Sequence, residues 1–174
     1  MSAGTDKFEP PKDRKRLRLV LDFVSAPGST DLACRSVAPS DKEALAALML
    51  DAYRGTIDYD GESLDDALRE IDHVCSGSYG RFLSDCSFVL DGEAGLNSAC
   101  LVTLLNEGKP DETPLLAFAM TCKRDQRRGL SSALILRSVA ALSGLGYSRL
   151  SLAVTADNHP ARRLNEKLGF RPWG

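Results

Sequence analysis

Histidine, tryptophan and paired cysteine are what this sequence has least of. Among 174 residues there are 2 His and 1 Trp. The 5 cysteines (Cys34, Cys75, Cys86, Cys100 and Cys122) are odd in number, scattered, and form no C-x-x-C pair. His73 and His159 stand at no ligand spacing from a cysteine pair, so no metal site is expected. The thiols read as free, mostly buried and kept in a reducing compartment. Nothing approaches the ~18 consecutive apolar residues of a membrane span. The charged opening MSAGTDKFEPPKDRKRLR has no apolar stretch behind it, so the expectation is a cytoplasmic protein without a membrane partner. Net charge is scarce too: 22 basic against 24 acidic residues leave −2, which argues against a general nucleic-acid partner. Neither G-x-x-x-x-G-K-[ST] nor G-x-G-x-x-G occurs.

What is present suits one globular domain: 43% hydrophobic and 26% charged residues, at a length that buries a core without staples. Residues 1–16 read as a flexible arm and 17–174 as the domain. RLRLVLDFV (16–24) has strand character, and a short strand is expected at 32–37. From APSDKEALAALMLDAYRG a helix is expected, with Ser40 as N-cap and Glu43 completing a capping box. Leu45, Leu48, Met49 and Ala52 form its apolar stripe and Gly55 its stop. A second helix spans 63–75, capped by Ser63, with Leu64, Leu68, Ile71 and Val74 or Cys75 inward. Strands at 86–90, 96–105 and 114–122, parted by turn residues, predict an antiparallel meander. A helix over 129–143, a strand over 149–155, a helix over 158–168 and a stub at 170–173 complete the chain.

The stretch CKRDQRRGL places four cations, Lys123, Arg124, Arg127 and Arg128, within six positions of this nearly neutral chain. Behind it an apolar helix begins. Unpaired N–H groups and the positive end of the helix dipole make such an N-terminus an anion site. Gly129 allows close approach, Ser131 and Ser132 keep the first turn open and can add hydroxyl donors, and Arg127 and Arg128 screen charge. The segment reads as a diphosphate cradle, with a basic surface loop as the alternative.

A second segment, LAVTADNHPARRLNEKLGF (152–170), is a strand, a loop and a helix ending in Gly-Phe. Together the two resemble the GNAT superfamily of N-acetyltransferases. Its Q/R-x-x-G-x-G/A cradle appears as Gln126-Arg127-Arg128-Gly129-Leu130-Ser131, and its later motif as Asn158-His159-Pro160-Ala161 followed by Lys167-Leu168-Gly169-Phe170. The resemblance covers some 140 residues. It implies an α/β (α+β) fold with a mixed, mostly antiparallel central sheet flanked by helices. It also implies acetyl-CoA as co-substrate, wedged where strands 114–122 and 149–155 splay apart. Met120 and Thr121 would meet the pantetheine arm through their backbones, Met120 also serving as oxyanion donor. The N–H groups from Arg127 to Ser132, Leu130 included, would hold the pyrophosphate. Asn158 would touch the pantetheine arm, although it is also a fair helix cap.

This sequence departs from the family pattern in three ways. Asn165 stands where many members carry a proton-donating tyrosine. Ser131 replaces Gly or Ala. The chain reaches FRPWG about one strand short of the common ending, and the extra N-terminal strand is expected to cover that edge, from its own chain or from a homodimer partner. Strand 114–122 holds no acid to serve as base. The acidic loop GTIDYDGES is the reservoir: Asp58 or Glu62 as candidate general base and Tyr59 lining the acceptor pocket, or else a solvated turn. Cys122 lies near the expected thioester but lacks an activating His. The expected reaction is acetyl transfer from acetyl-CoA to a primary amine, on a small molecule or a peptide, by direct attack in a ternary complex. The alternative is a domain that binds acyl-CoA as a sensor and turns over weakly or not at all.

Overall fold

The computed structural model describes residues 13–24, 28 and 31–174. Of the expected arm, residues 1–12 lie outside the described residues. The strands are β1 (Arg16–Asp22), β2 (Arg35–Ser36), β3 (Arg81–Phe82), β4 (Phe88–Gly92), β5 (Gly95–Leu105), β6 (Thr113–Thr121), β7 (Arg149–Thr155) and β8 (Arg171–Pro172). The helices are α1 (Lys42–Tyr53), α2 (Leu64–Ser76), α3 (Leu130–Gly144) and α4 (His159–Lys167). One sheet runs in the order β2-β4-β5-β6-β7-β1-β8, with β3 beside the second half of β5. Every pairing is antiparallel except β6 with β7. This is the mixed α/β architecture that the sequence implies. Among the described residues no helix is long and apolar enough to cross a membrane.

Side-chain alternation along β5 explains the two layers. Ala99 and Leu101 face α1 and α2, joining Leu45, Ile71, Val74 and Met120. Cys100, Val102 and Leu104 face the opposite way, joining Leu134, Ile135, Leu142 and Leu150. Each large side chain buried in these layers contributes roughly 1.5–3 kcal/mol.

β1 lies along the whole of β7, from Arg16 opposite Thr155 to Asp22 opposite Arg149. The edge strand therefore comes from the same chain. β8 adds to β1 at Leu19 and Val20, and Trp173 packs against the Arg18 and Arg149 guanidiniums at 4.6 and 5.9 Å.

Two local expectations are corrected. The N-cap of α1 is Asp41, not Ser40, and residues 39–41 form a 3-10 turn. The Asp41 carboxylate turns back to accept the Ala38 N–H at 2.7 Å and both Arg35 terminal nitrogens at 2.8 and 2.9 Å. An acid near an unpaired N–H and a guanidinium outcompetes a serine hydroxyl as the local acceptor. Leu64, expected inward, is 49% exposed, because it is the first residue of α2 and overhangs the loop before it. Ser63 does cap that helix, in a reciprocal pair with Asp66.

Candidate functional site

β6 and β7 pair at a single point, Leu115 opposite Ser151. Beyond it the strands diverge, although each keeps its other neighbour: β6 remains on β5 and β7 on β1. A bulge starts the divergence. Leu101 faces Phe118 while Val102 faces Leu116, so Ala117 is an extra residue in β6. Such an insertion bends the strand and re-aims the residues beyond it. Ala117 and Phe118 consequently both lie toward α1 and α2, and Leu116 and Ala119 toward α3.

The bulge also decides which backbone groups look into the gap. The Cys122 N–H donates to the Asn97 carbonyl on β5 at 2.8 Å. Met120, two residues earlier and paired with Ala99, points the same way by the strand's period of two. Its carbonyl accepts the Ser98 hydroxyl at 2.9 Å. The expected assignment of Met120 as oxyanion donor is therefore corrected: its N–H faces β5. Ala119 and Thr121 face the gap, and the Thr121 carbonyl already accepts the Gln126 side-chain amide at 3.1 Å.

At the far end of β6 the chain makes a 3-10 turn over Lys123–Asp125 and enters α3. Arg127 and Gly129 both have positive φ, 64° and 76°. Two left-handed residues so close together curl the backbone and fan its N–H groups outward. Among the described residues, the N–H groups from Arg127 to Ser132 find no acceptor, and Ala133 is the first to bond back, to Gly129 at 3.0 Å. A Cβ on Gly129 would meet nothing within 4 Å, so the space over this row of donors is open. The row fits a diphosphate.

The side chains around it are more tied than the sequence suggests. Gln126 is engaged by Thr121. The Ser131 hydroxyl is paired with the Thr121 hydroxyl at 2.7 Å, which in turn meets the Ser98 hydroxyl at 2.9 Å. Ser131 thus fastens α3 to β6 and adds no outward donor, whereas Ser132 has no such tie. Arg128 donates to Asp125 at 2.8 Å. Asp125, 4% exposed, also accepts the Cys122 thiol at 3.2 Å. Burial first, and then that carboxylate, raises the Cys122 pKa, so it is no ready nucleophile.

The acidic loop between α1 and α2 crosses to the other strand. Both Asp58 oxygens accept at 2.7 Å, one from the Thr155 hydroxyl at the end of β7 and one from the Asn158 amide. The Asn158 amide oxygen accepts from Ala161 N–H at 3.1 Å, so Asn158 is both helix cap and partner of Asp58. The Asp60 carboxylate holds Arg14 in two hydrogen bonds of 2.7 and 3.2 Å. One Glu62 oxygen accepts the Asp60 N–H at 2.9 Å. The Tyr59 hydroxyl donates to the Glu62 carbonyl at 3.4 Å. Tyr53 closes this side, its ring edge-on to Phe118 at 6.4 Å, its phenol pKa raised by burial and then by the Asp58 charge.

Asn165 sits on α4 on the same inward face as Ala161 and Leu168. It is 6% exposed, and among the described residues its side chain has no hydrogen-bond partner. Ala119, Asp125, Tyr53, Phe118 and Thr155 belong to this site and are not evident from the sequence. Strand alternation counted from Cys122 could have found Ala119, whereas the others depend on tertiary placement. A separate depression of about 350 Å³ between Arg81, Ser84, Asp85, Leu145 and Tyr147 contains none of these residues.

Comparison with known proteins agrees with this fold. Residues 98–170 match the acetyltransferase (GNAT) family. No curated protein matches the chain in sequence. Among solved structures, a GCN5-related N-acetyltransferase from Sphaerobacter thermophilus superposes with TM-score 0.69 at 14% identity, over 92% of this chain and 49% of its own. The chain therefore spans about half the length of that protein. An aminoglycoside N-acetyltransferase, AAC(6')-Iy, in complex with CoA gives 0.60 at 14% identity, over 85% and 92% of the two chains. The ribosomal-protein-S18-alanine N-acetyltransferase of Escherichia coli gives 0.58 at 20%, over 79% and 76%. These likenesses concern the fold, and the family match covers residues 98–170 alone. Residues 98–170, under half of the chain, thus resemble the acetyltransferase (GNAT) family, and the fold as a whole is similar to that of solved N-acetyltransferases.

Proposed function

We propose that this protein transfers an acetyl group from acetyl-CoA to a primary amine by direct attack in a ternary complex. One observation carries the proposal: β6 and β7 part after a single bridge, and the gap leads to a row of unpaired N–H groups at α3. Acetyl-CoA supplies the activated acyl group. The N–H groups from Arg127 to Ser132 hold its pyrophosphate, with Arg127 and Lys123 adding charge. The gap-facing backbone of Ala119 and Thr121 pairs with the pantetheine arm, and one of their N–H groups stabilises the charge that develops on the carbonyl oxygen. Asn158 offers its second amide hydrogen to the same arm.

The amine must lose its proton before it attacks, because near pKa 10.4 it is almost wholly charged at pH 7. Of the two candidate bases, Glu62 keeps one carboxylate oxygen without a partner among the described residues, whereas both Asp58 oxygens are taken. Glu62 is therefore the base of choice, acting directly or through water. Tyr59 and Tyr53 wall the acceptor side. Asn165 donates a hydrogen bond to the departing sulfur, which a water protonates. The acidic rim suits a cationic acceptor. The related folds include enzymes named for aminoglycoside and for protein alanine acceptors, so small-molecule and peptide amines are both to be tried.

The test is CoA release from acetyl-CoA, followed with a thiol reagent, against a panel of polyamine, amino acid amide, aminoglycoside and peptide N-terminus. Amine-dependent release supports the proposal. Tight acetyl-CoA binding without release from any amine replaces it with the sensor, the outcome that Asn165 in place of tyrosine would favour.

A further inference from the structure

Past the Leu115–Ser151 bridge, no hydrogen bond between β6 and β7 fixes how far apart the strands stand. Something must, because an acyl chain lying between two strands is gripped only if the gap keeps a constant width. The connection that spans the open end runs over the α1 and α2 side of the sheet. From β6, Phe118 packs edge-on to Tyr53, the last residue of α1. The Lys123 N–H, just beyond β6, donates to Asp51 of the same helix at 2.8 Å. From Tyr53 the chain runs through a turn in which Thr56 bonds back to the Tyr53 carbonyl by its N–H at 2.9 Å and its hydroxyl at 2.7 Å. Two residues later Asp58 reaches β7, with Thr155 on one oxygen and Asn158 on the other.

We infer that Asp58 is a positioning residue that clasps the two splayed strands and sets the width of the acyl-CoA gap. The inference rests on the proposed function and redefines one of its candidate residues. Three features support it. The carboxylate has both oxygens engaged at 2.7 Å, each by a side-chain donor that holds the group in place. Its partners are 97 and 100 residues away in sequence, so the bond is a tertiary fastening and no local turn. The two partners are also the last residue of β7 and the cap of α4, so Asp58 fixes where the far wall of the gap ends. The Asn158 amide can face only one way there. Its oxygen must meet the Ala161 N–H and its NH2 the carboxylate, which aims the second amide hydrogen.

The chemistry supplies a specific test. In Asp58→Asn the new amide can accept from Thr155, but it then turns its NH2 toward the NH2 of Asn158. The double exchange Asp58→Asn with Asn158→Asp restores every bond of the clasp, since the new amide donates to the new carboxylate, which still caps Ala161, and gives up only the amide hydrogen that Asn158 offers to the pantetheine arm. A clasp survives that exchange, whereas a general base does not, because the carboxylate has moved. Acetyl-CoA affinity by calorimetry and CoA release should be measured on wild type, Asp58→Asn, the exchange and Thr155→Val, each checked for a cooperative melt.

The expected result is a Kd for acetyl-CoA weakened roughly tenfold in Asp58→Asn, about the worth of one charge-assisted hydrogen bond, and several-fold in Thr155→Val. In the exchange, turnover at saturating acetyl-CoA should return, and affinity should recover except for the several-fold share of the lost Asn158 donor. Unchanged affinity in both single variants overturns the clasp, and so does an exchange that binds more tightly than Asp58→Asn but stays inactive at saturating acetyl-CoA, which would identify Asp58 as the base. A folded wild type that does not bind acetyl-CoA overturns the proposed function and the clasp with it.

Discussion

Replacing Gly129 separates the backbone demand of the cradle from its ligand demand. The residue has φ 76°, and a Cβ there would touch nothing within 4 Å. Any non-glycine side chain therefore incurs the left-handed penalty of about 1–2 kcal/mol but no clash. For a chain of this length each kcal/mol moves Tm by about 2–4 °C. Gly129→Ala and Gly129→Glu should then lower the ligand-free Tm by similar amounts, about 2–8 °C. Acetyl-CoA at a hundred times Kd adds about 2.7 kcal/mol, or about 5–11 °C in wild type. Gly129→Ala should keep part of that shift, since a methyl only crowds the pyrophosphate. Gly129→Glu should lose it, because a carboxylate then occupies the place of the anion. The assay is a thermal melt with and without ligand. A full acetyl-CoA shift in Gly129→Glu would refute the cradle. A ligand-free drop in Gly129→Ala far beyond about 8 °C would refute the claim of open space.

Three further outcomes are expected. Asn165→Ala should leave the ligand-free melt nearly unchanged, since no partner among the described residues is lost, and lower kcat by roughly two- to tenfold, the range of one neutral hydrogen bond; an unchanged kcat would make Asn165 a spacer. Arg35→Gln should destabilise by about 0.5–1 kcal/mol at neutral pH, a charge-assisted contact discounted for a guanidinium that is 43% exposed, read by urea melts across pH. The Arg35 guanidinium holds the Asp41 carboxyl below the usual carboxylate range, so that contribution is complete above the unfolded carboxylate pKa near 4 and fades as pH falls through the depressed value; a wild-type-minus-variant difference that grows on acidification would contradict it. Leu19→Ala, which empties a 6%-exposed position on β1, should cost about 2–5 kcal/mol. A smaller loss would mean that β1 contributes little to the sheet.

Much of the architecture was legible because its signals are local. Flanking turn residues located β4, β5 and β6, apolar stripes located α1 and α2, and Gly55, Ser63 and Gly129 marked boundaries by their own conformational chemistry. The cradle was legible for the same reason, since it is a strand end, a turn and a helix start within ten residues. What stayed hidden depends on one side chain meeting another far along the chain. Asp41 took the cap from Ser40 because Arg35 and Ala38 converge on it. Met120 was misassigned because the bulge at Ala117 and the direction of the ladder from Cys122 decide which N–H groups face the gap. Asp58 offered itself as a base because an acid in a loop near an active centre looks free, and nothing local tells of Thr155 and Asn158. Ser131 looked like a tolerated departure, whereas its hydroxyl has a partner waiting on Thr121.

The position of β1 carries a consequence for how the chain comes together in time. Asp22 and Arg149, neighbours across the β1–β7 ladder, are 127 positions apart in sequence. At ~5–20 residues per second, synthesis takes about 6–25 s to pass from one to the other. Throughout that interval Leu19 and Val20, both buried in the finished sheet, have no β7 to pair with. The layer of α1, α2 and β4–β6 can meanwhile consolidate from contacts much nearer in sequence. The β1–β7 ladder can form only once β7 has been made. The nascent chain thus carries an apolar strand without its β7 partner for that whole interval, as a holdase would meet it, and both sides of the gap exist only once β7 has joined β1.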